Sequence, residues 1–300
     1  MEFRIEKFSP AADELFPVNN FKRLCSGYLF SEGPVWDMET GTLYFTDFQK
    51  FQIWKWSEND GARIYRENSN RAIGLSMDAS GRIVSAESKA HAISYADHEK
   101  SEIIVDNFQG KRLNSPNDVV VSRDGFIFFT DPYSEMMGEP REIGFNGIFS
   151  INQQREIRLV DDTFERPNGI AFSPDESLLY VNDTKKQTIF VFAVMQDKLT
   201  KKIGSFAQVD SSYGKGVVDG MKVDIKGNVY VTGPGGIWVF SPDGSPLAVL
   251  YVPELVGNLC FGGKDSKTLY ITASTSVYTI NVGIPGIVPF RKQLFRDQDT

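Results

Sequence analysis

The sequence predicts an all-β fold, a six-bladed β-propeller with four antiparallel strands in each blade. A short pattern of an anchor residue, a strand, a turn and a second strand occurs six times, with copies that begin near residues 32, 73, 117, 168, 219 and 258. The copies lie 39 to 51 residues apart, which is the length of one four-stranded propeller blade. Val, Ile, Phe and Tyr dominate these segments, and these residue types favour strands.

Each copy contains the same succession of strand-like segments. The first strands read EGPVW, IGLSM, NDVVV, NGIAF, DGMKV and NLCFG, and the second strands read LYFTD, RIVSAE, FIFFTD, LLYVND, NVYVTG and TLYITA. Turn-forming pairs such as Asp124-Gly125 and Lys226-Gly227 stand between them. Third strands such as GIWVFSP and SVYTIN follow, and fourth segments such as IRLVDD complete most copies.

The sixth copy lacks a fourth strand, because the chain becomes rich in Pro and Gly after Ile280. The segment FKRLCSG stands immediately before the first anchor, where every other copy has a fourth strand. We therefore predict that a strand at about residues 21–26 completes the last blade and closes the ring, which removes an exposed sheet edge. Residues 1–300 form one domain in this interpretation, with 1–20 and 283–300 as appendages.

Composition and charge exclude several classes of function. The net charge of −7 argues against nucleic acid and anionic membranes as partners. No apolar run approaches the roughly 18 residues of a membrane span, and the N-terminus does not resemble a signal peptide. Only two cysteines, Cys25 and Cys260, are present, so a reduced, cytoplasmic setting is expected. The two histidines, His91 and His98, exclude a His-rich zinc site and are expected at the surface.

The anchors predict where the chemistry lies. Because the first strand of a propeller blade is innermost, residues at one repeat phase surround the central channel. That ring would contain Glu32, Ile73, Asn117, Asn168, Asp219 and Asn258. Two carboxylates and several amide oxygens are the ligands that a hard divalent cation prefers. Each anchor taken alone is also explained as a turn former, so the coincidence of four oxygen-bearing anchors favours the metal site.

The segments EGPVWD, NSPNDVVVSRDGFIFFTDP, RPNGIAFSPDESLLYVNDT, VDGMKVDIKGNVYVTGPGGIWVFSPDG and CFGGKDSKTLYIT resemble the senescence marker protein (regucalcin)/gluconolactonase/luciferin-regenerating enzyme family. The match runs from about residue 21 to 282 and is nearest the bacterial gluconolactonase branch. It implies a six-bladed propeller that hydrolyses lactones with one divalent cation, commonly calcium. The family's metal ligands fall on Glu32, Asn168 and Asp219, and Asn117 matches an asparagine that lies by the metal or contacts the substrate. Relatives in that branch often read Cys-Glu-His-Gly where this chain has Ala86-Glu87-Ser88-Lys89, so specificity for a sugar lactone is open.

These expectations define a mechanism and its alternatives. Ca²⁺ is expected, with Zn²⁺, Mn²⁺ or Mg²⁺ also compatible, and Asp219 is expected as the general base with Asn117 orienting a lactone substrate. Arg112, Asn114, Asp131 and Tyr133 are further candidates for substrate contact. Asp47, Asp131 and Asp183 end second strands, where capping of turns is the preferred interpretation.

Two alternative functions are open at this point. Asp219 as a nucleophile would suit a phosphotriesterase that uses the same site. A propeller that binds other proteins through its loops, with a structural calcium or none, would need no catalysis.

Overall fold

The predicted six-bladed propeller is confirmed by a computed structural model, which describes residues 2–135 and 138–289. The described part contains six sheets with at least four strands each, and adjacent strands in every sheet are antiparallel. One short α-helix lies outside the blades. No helix among the described residues is long and apolar enough to cross a membrane.

The elements follow the blades in chain order. Before the first blade come β1 (Arg4–Lys7), α1 (Ala12–Leu15) and β2 (Lys22–Ser26). Blade one is β3 (Ser31–Asp37), β4 (Thr42–Asp47), β5 (Gln52–Ser57) and β6 (Gly61–Arg66). Blade two is β7 (Ala72–Met77), β8 (Ile83–Glu87), β9 (Ala92–Ala96) and β10 (Ser101–Val105), followed by a small hairpin of β11 (Asn107–Phe108) and β12 (Lys111–Arg112). Blade three is β13 (Val119–Val121), β14 (Ile127–Asp131), β15 (Asn146–Ile151) and β16 (Ile157–Phe164).

The remaining blades continue the same order. Blade four is β17 (Pro167–Phe172), β18 (Leu178–Asp183), β19 (Thr188–Val194) and β20 (Thr200–Gln208). Blade five is β21 (Met221–Val223), β22 (Val229–Gly233), β23 (Gly236–Phe240) and β24 (Pro246–Tyr251). Blade six is β25 (Val256–Gly262), β26 (Thr268–Ala273) and β27 (Ser276–Asn281), with β2 as its outermost strand.

The predicted closure of the ring is confirmed. Strand β2 pairs antiparallel with β27, and Arg23 lies opposite Tyr278. The ring therefore has no open sheet edge at the junction of its two ends, where an unpaired edge would be a site for association.

The N-terminal appendage is more closely integrated than the sequence suggested. Strand β1 adds a fifth strand to blade five by pairing with β24, with Arg4 opposite Tyr251. Leu15 of α1 is buried in the core cluster that also contains Ile280 and Ile284. Residues 290–300, in the C-terminal appendage, lie outside the described residues.

Apolar and aromatic side chains fill the space between neighbouring blades. Trp36 of blade one stacks on Tyr270 of blade six with ring centroids 5.1 Å apart, and Phe128 packs edge-on against Phe172 across blades three and four. Below the polar part of the channel, a cavity of about 370 Å³ is lined mainly by apolar residues of the inner strands. Such packing fixes the blades relative to one another, so the inner strands hold the channel rigidly.

Candidate functional site

Hydrogen bonds between neighbouring blades bring the anchors into one ring around the channel. Gly74 donates its N–H to the carbonyl of Asn117 at 2.8 Å, which joins blade two to blade three. The Oγ1 of Thr130 donates to the carbonyl of Asn168 at 2.8 Å, which joins blade three to blade four. The amide of Asn182 donates to the carbonyl of Asp219 at 2.5 Å and joins blade four to blade five. Each second strand or anchor thus holds the next anchor in place.

Asn258 is out of phase with the other anchors, contrary to the predicted ring. Gly220 donates to the carbonyl of Gly257 at 2.8 Å, as Gly74 does to Asn117, so Gly257 takes the anchor position of blade six. Asn258 instead matches Asp118: the Oδ1 of each accepts the N–H of the next residue at 2.9 Å. Blades one, two and four have a bulge at the same point of the inner strand as blade six, so the offset of Asn258 does not come from the bulge. It arises because the anchor position of blade six is the preceding glycine, Gly257.

Glycines next to the anchors let the polar side chains approach one another. A Cβ on Gly74 would lie 2.4 Å from Asp118 Oδ1, and one on Gly257 would lie 2.4 Å from Glu32 Oε1. A Cβ on Gly220 would lie 2.1 Å from Asn258 Oδ1. At Gly74 and Gly220 the added Cβ would also lie within 2.7 Å of a neighbouring Cα, so glycine is required there. At Gly257 the Glu32 carboxyl would have to move to make room for a side chain.

Three carboxyl groups share this small space. Glu32 is 3% exposed and Asp118 is 1% exposed. Burial, and then the charge of Asp219, raises the pKa of Glu32 well above its ordinary value. Burial and the charge of Asp118 raise the pKa of Asp219 to about 7, although hydrogen bonding from Asn168 opposes this. Burial also raises the pKa of Asp118, against the nearby charge of Lys222. Carboxylates that repel one another in a dry channel favour a positively charged ligand.

The donor set fits a hard cation. The buried Oδ1 of Asn168 accepts no hydrogen bond from the described residues, while the amide nitrogen of Asn168 donates to Thr184 Oγ1 at 3.2 Å. Glu32, Asp219 and the Asn168 carbonyl thus present oxygen atoms around the channel. Asn117 is half-buried and has the same repeat phase, and its carbonyl accepts the N–H of Gly74. The described residues hold no group of three or more His, Cys, Asp or Glu side chains arranged as metal ligands, so such a site depends on amide oxygens as well as two carboxylates, which calcium accepts.

Asp118 is the site residue that the sequence analysis did not single out. Its Oδ2 is buried and has no hydrogen-bond partner in the part of the chain that the structure describes, and its charge acts on both Glu32 and Asp219. The Asn-Asp pair at residues 117–118 carried a signal, since every other anchor of the first five copies is followed by glycine. Blade three therefore has a carboxylate at a position where the other four copies have glycine.

The predicted substrate residues lie together beside blade three. Arg112 forms an ion pair with Glu139 at 2.7 Å, and the hydroxyl of Tyr133 donates to the carbonyl of Glu139 at 3.1 Å. Asn114 donates its N–H to Asp131 Oδ2 at 2.8 Å. The Asp131 carboxyl is completely buried, and burial raises its pKa to about 7. In the described structure Arg112 and Tyr133 share Glu139 as a partner, whereas Asn114 pairs with Asp131.

The aspartates that end the second strands cap the loops before the anchors, which is the role preferred for them from the sequence. Asp47 accepts the N–H groups of Leu29 and Phe30 at 2.9 and 3.1 Å. Asp183 accepts those of Glu165 and Arg166 at 2.9 and 3.2 Å. Asp131 acts similarly toward Asn114. The same capping device in three blades sets the height at which each anchor strand enters the channel.

The expectation of a surface position is wrong for His91 and confirmed for His98. His91 is 6% exposed, and its Nδ1 contacts the carbonyl oxygens of Leu113 and Asn114. Its Nε2 lies 3.1 Å from Glu139 Oε2. The side chain of His98 is exposed. His91 precedes β9 in the loop after β8, which faces the channel mouth rather than the outer edge of the blade.

Comparisons with known proteins agree with this architecture. Residues 30–275 match the family model described as "SMP-30/Gluconolactonase/LRE-like region". A gluconolactonase of Zymomonas mobilis is 32% identical over 92% of this chain and 85% of its own length. The pentonolactonase XacC of Haloferax volcanii is 25% identical over 81% of each chain. The solved structure of a gluconolactonase from Xanthomonas campestris superposes with a TM-score of 0.85 at 28% identity, covering 94% of this chain and 95% of that one. The chain therefore belongs to the SMP-30/gluconolactonase/LRE-like family.

Proposed function

We propose that this protein is a divalent-cation-dependent hydrolase that opens a sugar lactone. The observation that carries the proposal is the convergence of Glu32 and Asp219 with the unpartnered Oδ1 of Asn168 in the channel. The substrate class is supported by two relatives that are named for lactone hydrolysis, one a gluconolactonase and the other a pentonolactonase. Gluconolactone is the first substrate to test.

Glu32, Asn168 and Asp219, with Asn117 beside them, are the residues that would hold the cation. Their carboxylate and amide oxygens suit Ca²⁺ best, although Zn²⁺, Mn²⁺ or Mg²⁺ can also use such ligands. When bound, the cation would polarise the lactone carbonyl and stabilise the negative charge that develops on its oxygen. The positive charge would also relieve the repulsion between Glu32 and Asp219.

Asp219 is the proposed general base. Its carboxylate takes a proton from water as the water oxygen forms a bond to the carbonyl carbon, which gives a tetrahedral intermediate. The bond from that carbon to the ring oxygen then breaks, and the ring oxygen receives the proton from Asp219. The products are a hydroxy acid and the regenerated carboxylate. Asn117 orients the substrate, and Asn168 fixes the Asp219 carboxyl through the hydrogen bond that lowers the pKa of that group.

Metal-dependent hydrolysis tests this proposal directly. Protein treated with EDTA is assayed against gluconolactone, a homoserine lactone, an aryl ester and a phosphotriester, before and after addition of Ca²⁺, Zn²⁺, Mn²⁺ or Mg²⁺. We expect lactone turnover that EDTA abolishes and a cation restores. Turnover of the phosphotriester alone would instead indicate a phosphotriesterase. A loss of thermal stability with EDTA, without hydrolysis of any compound, would indicate a binding scaffold.

A further inference from the structure

We propose that Arg166 recognises an anionic group on the substrate, so that the preferred lactone carries a carboxylate, phosphate or sulfonate away from its reacting carbonyl. The inference rests on the proposed lactone-hydrolysing function and adds the class of lactone to it.

The backbone of Arg166 is held firmly at the channel mouth. Its N–H donates to Asp183 Oδ1 at 3.2 Å, and its carbonyl accepts the N–H of Thr184 at 3.0 Å. The residue is exposed and stands two positions before Asn168 in the chain. Its charge reaches Asp219, where it acts to lower the pKa of that carboxyl. The backbone of Arg166 is therefore fixed, its charge is close enough to act on Asp219, and the residue is open to solvent.

The guanidinium of Arg166 makes no hydrogen bond or ion pair within residues 2–135 and 138–289. The acids beside it are already engaged: Asp183 accepts two backbone N–H groups, and Glu165 lies 3.8 Å from Lys186 Nζ. A guanidinium offers five donors in a planar fork that matches carboxylate and phosphate oxygens. Because the described residues supply no acceptor, those donors are available to a ligand.

Other arginines near the mouth are engaged in the protein. Arg112 bonds Glu139 at 2.7 Å and lies 3.6 Å from Glu142. Arg141 donates to the carbonyl of Ile143 at 2.6 Å. Arg112 and Arg141 therefore bond to groups of the mouth loops, whereas the guanidinium of Arg166 can bond to a ligand.

The surrounding loops reinforce the positive charge. Lys185, Lys186 and Lys215 are exposed on the loops of blades four and five that follow β18 and β20. Arg166 and these three lysines outnumber the two exposed acids of the same loops, Glu165 and Asp210, whereas the whole chain carries a net charge of −7. A positive region beside a cleft raises the local concentration of anionic ligands.

Paired substrates test this inference with Arg166→Gln. Gluconolactone and 6-phosphogluconolactone differ by a phosphate, and glucarolactone offers a carboxylate instead. We expect the native enzyme to favour an acidic lactone, and the variant to lose about tenfold to a hundredfold in kcat/KM on that lactone only. Arg158→Gln, which removes an exposed arginine from the outermost strand of blade three, is the matched control and should leave both activities unchanged. Arg166→Lys should retain more of the preference than Arg166→Gln.

Several outcomes would overturn the role of Arg166. One is an equal loss on neutral and acidic lactones, and another is no loss on either. Calorimetric binding of 6-phosphogluconate and gluconate gives a readout that does not need turnover. We expect the phosphorylated acid to bind the native protein more tightly, and Arg166→Gln to remove the difference. Equal binding of the two acids by the native protein would refute the inference even if gluconolactone is hydrolysed, whereas absence of all lactone turnover would refute the proposed function.

Discussion

The side-chain nitrogen of Asn168 donates a hydrogen bond to the Oγ1 of Thr184 at 3.2 Å. The Oγ1 of Thr184 in turn donates to the carbonyl of Val218 at 2.9 Å, and Val218 immediately precedes Asp219. The chain of bonds fixes which end of the Asn168 amide is a donor and leaves its Oδ1 buried without a partner. One threonine thus sets the orientation of one proposed ligand and the backbone position of another.

Loss of this threonine hydroxyl should weaken cation binding. We expect Thr184→Val to reduce calcium affinity by about tenfold to a hundredfold, because groups that orient a metal ligand have effects of this size. Asn168→Ala should reduce it at least as much. Titration calorimetry measures both, and Thr200→Val on the outermost strand of blade four is the control. Unchanged affinity in Asn168→Ala would contradict the assignment of that residue.

Replacement of Asp219 by Ala should abolish both cation binding and lactone turnover. The carboxylate is proposed as ligand and as general base, and loss of a general base alone costs at least about a hundredfold in rate. Turnover of gluconolactone and calcium binding are measured in parallel. Asp162→Ala, on the exposed surface of β16, is the control. Full activity of the Asp219 variant would refute the mechanism.

The glycine requirement of the channel is testable through stability. In Gly74→Ala the new Cβ would meet Asp118 Oδ1 at 2.4 Å, and overpacking of this kind costs about 1–3 kcal/mol. Gly144→Ala has no atom within 4 Å of the added Cβ and should change the free energy of unfolding by less than about 0.5 kcal/mol. Urea denaturation compares the two. Equal stability would mean that the blades can separate locally at little cost.

The stability of the cation-free protein should fall as pH rises, whereas the stabilisation that calcium adds should increase. The folded-state pKa values of Glu32 and Asp219 are raised, the latter to about 7, so in the cation-free protein both groups favour the folded state when protonated. The contribution of Asp219 is present below about pH 4 and is lost as pH rises through about 7. Bound calcium favours the ionised carboxylates, so the rise in Tm on adding calcium should be larger at about pH 8 than at about pH 5.5. A constant difference between the two conditions would argue against these carboxylates as ligands.

The sequence predicted features that the repeat makes explicit. Six blades follow from the spacing of the anchors, and the closing strand follows from a missing fourth segment matched by FKRLCSG. Glu32, Asn117, Asn168 and Asp219 share the phase that the inner strands bring to the channel. The spacing of the repeats is sufficient for these conclusions because residues at one repeat phase take the same position in every blade.

The features that the sequence did not predict arise where that regularity breaks. Asn258 lies one residue beyond the anchor position of blade six, and the sequence does not show this because Gly257, at that position, has no polar side chain. The burial of His91 depends on Glu139, 48 residues further along the chain. The sequence alone does not identify Asp118 as a site residue, because an Asn-Asp pair is equally typical of a turn.

The pairing of β2 with β27 has a consequence for how the chain acquires its fold. Strand β2 is synthesised before the strands of blade one and has no partner until β27 of blade six has been made, since Arg23 pairs with Tyr278. Until then blade six is incomplete, and contacts across so long a separation form slowly. The oxygen atoms of the channel come from blades far apart in the chain, so a nascent or truncated molecule would possess most of the strands and still lack a finished site.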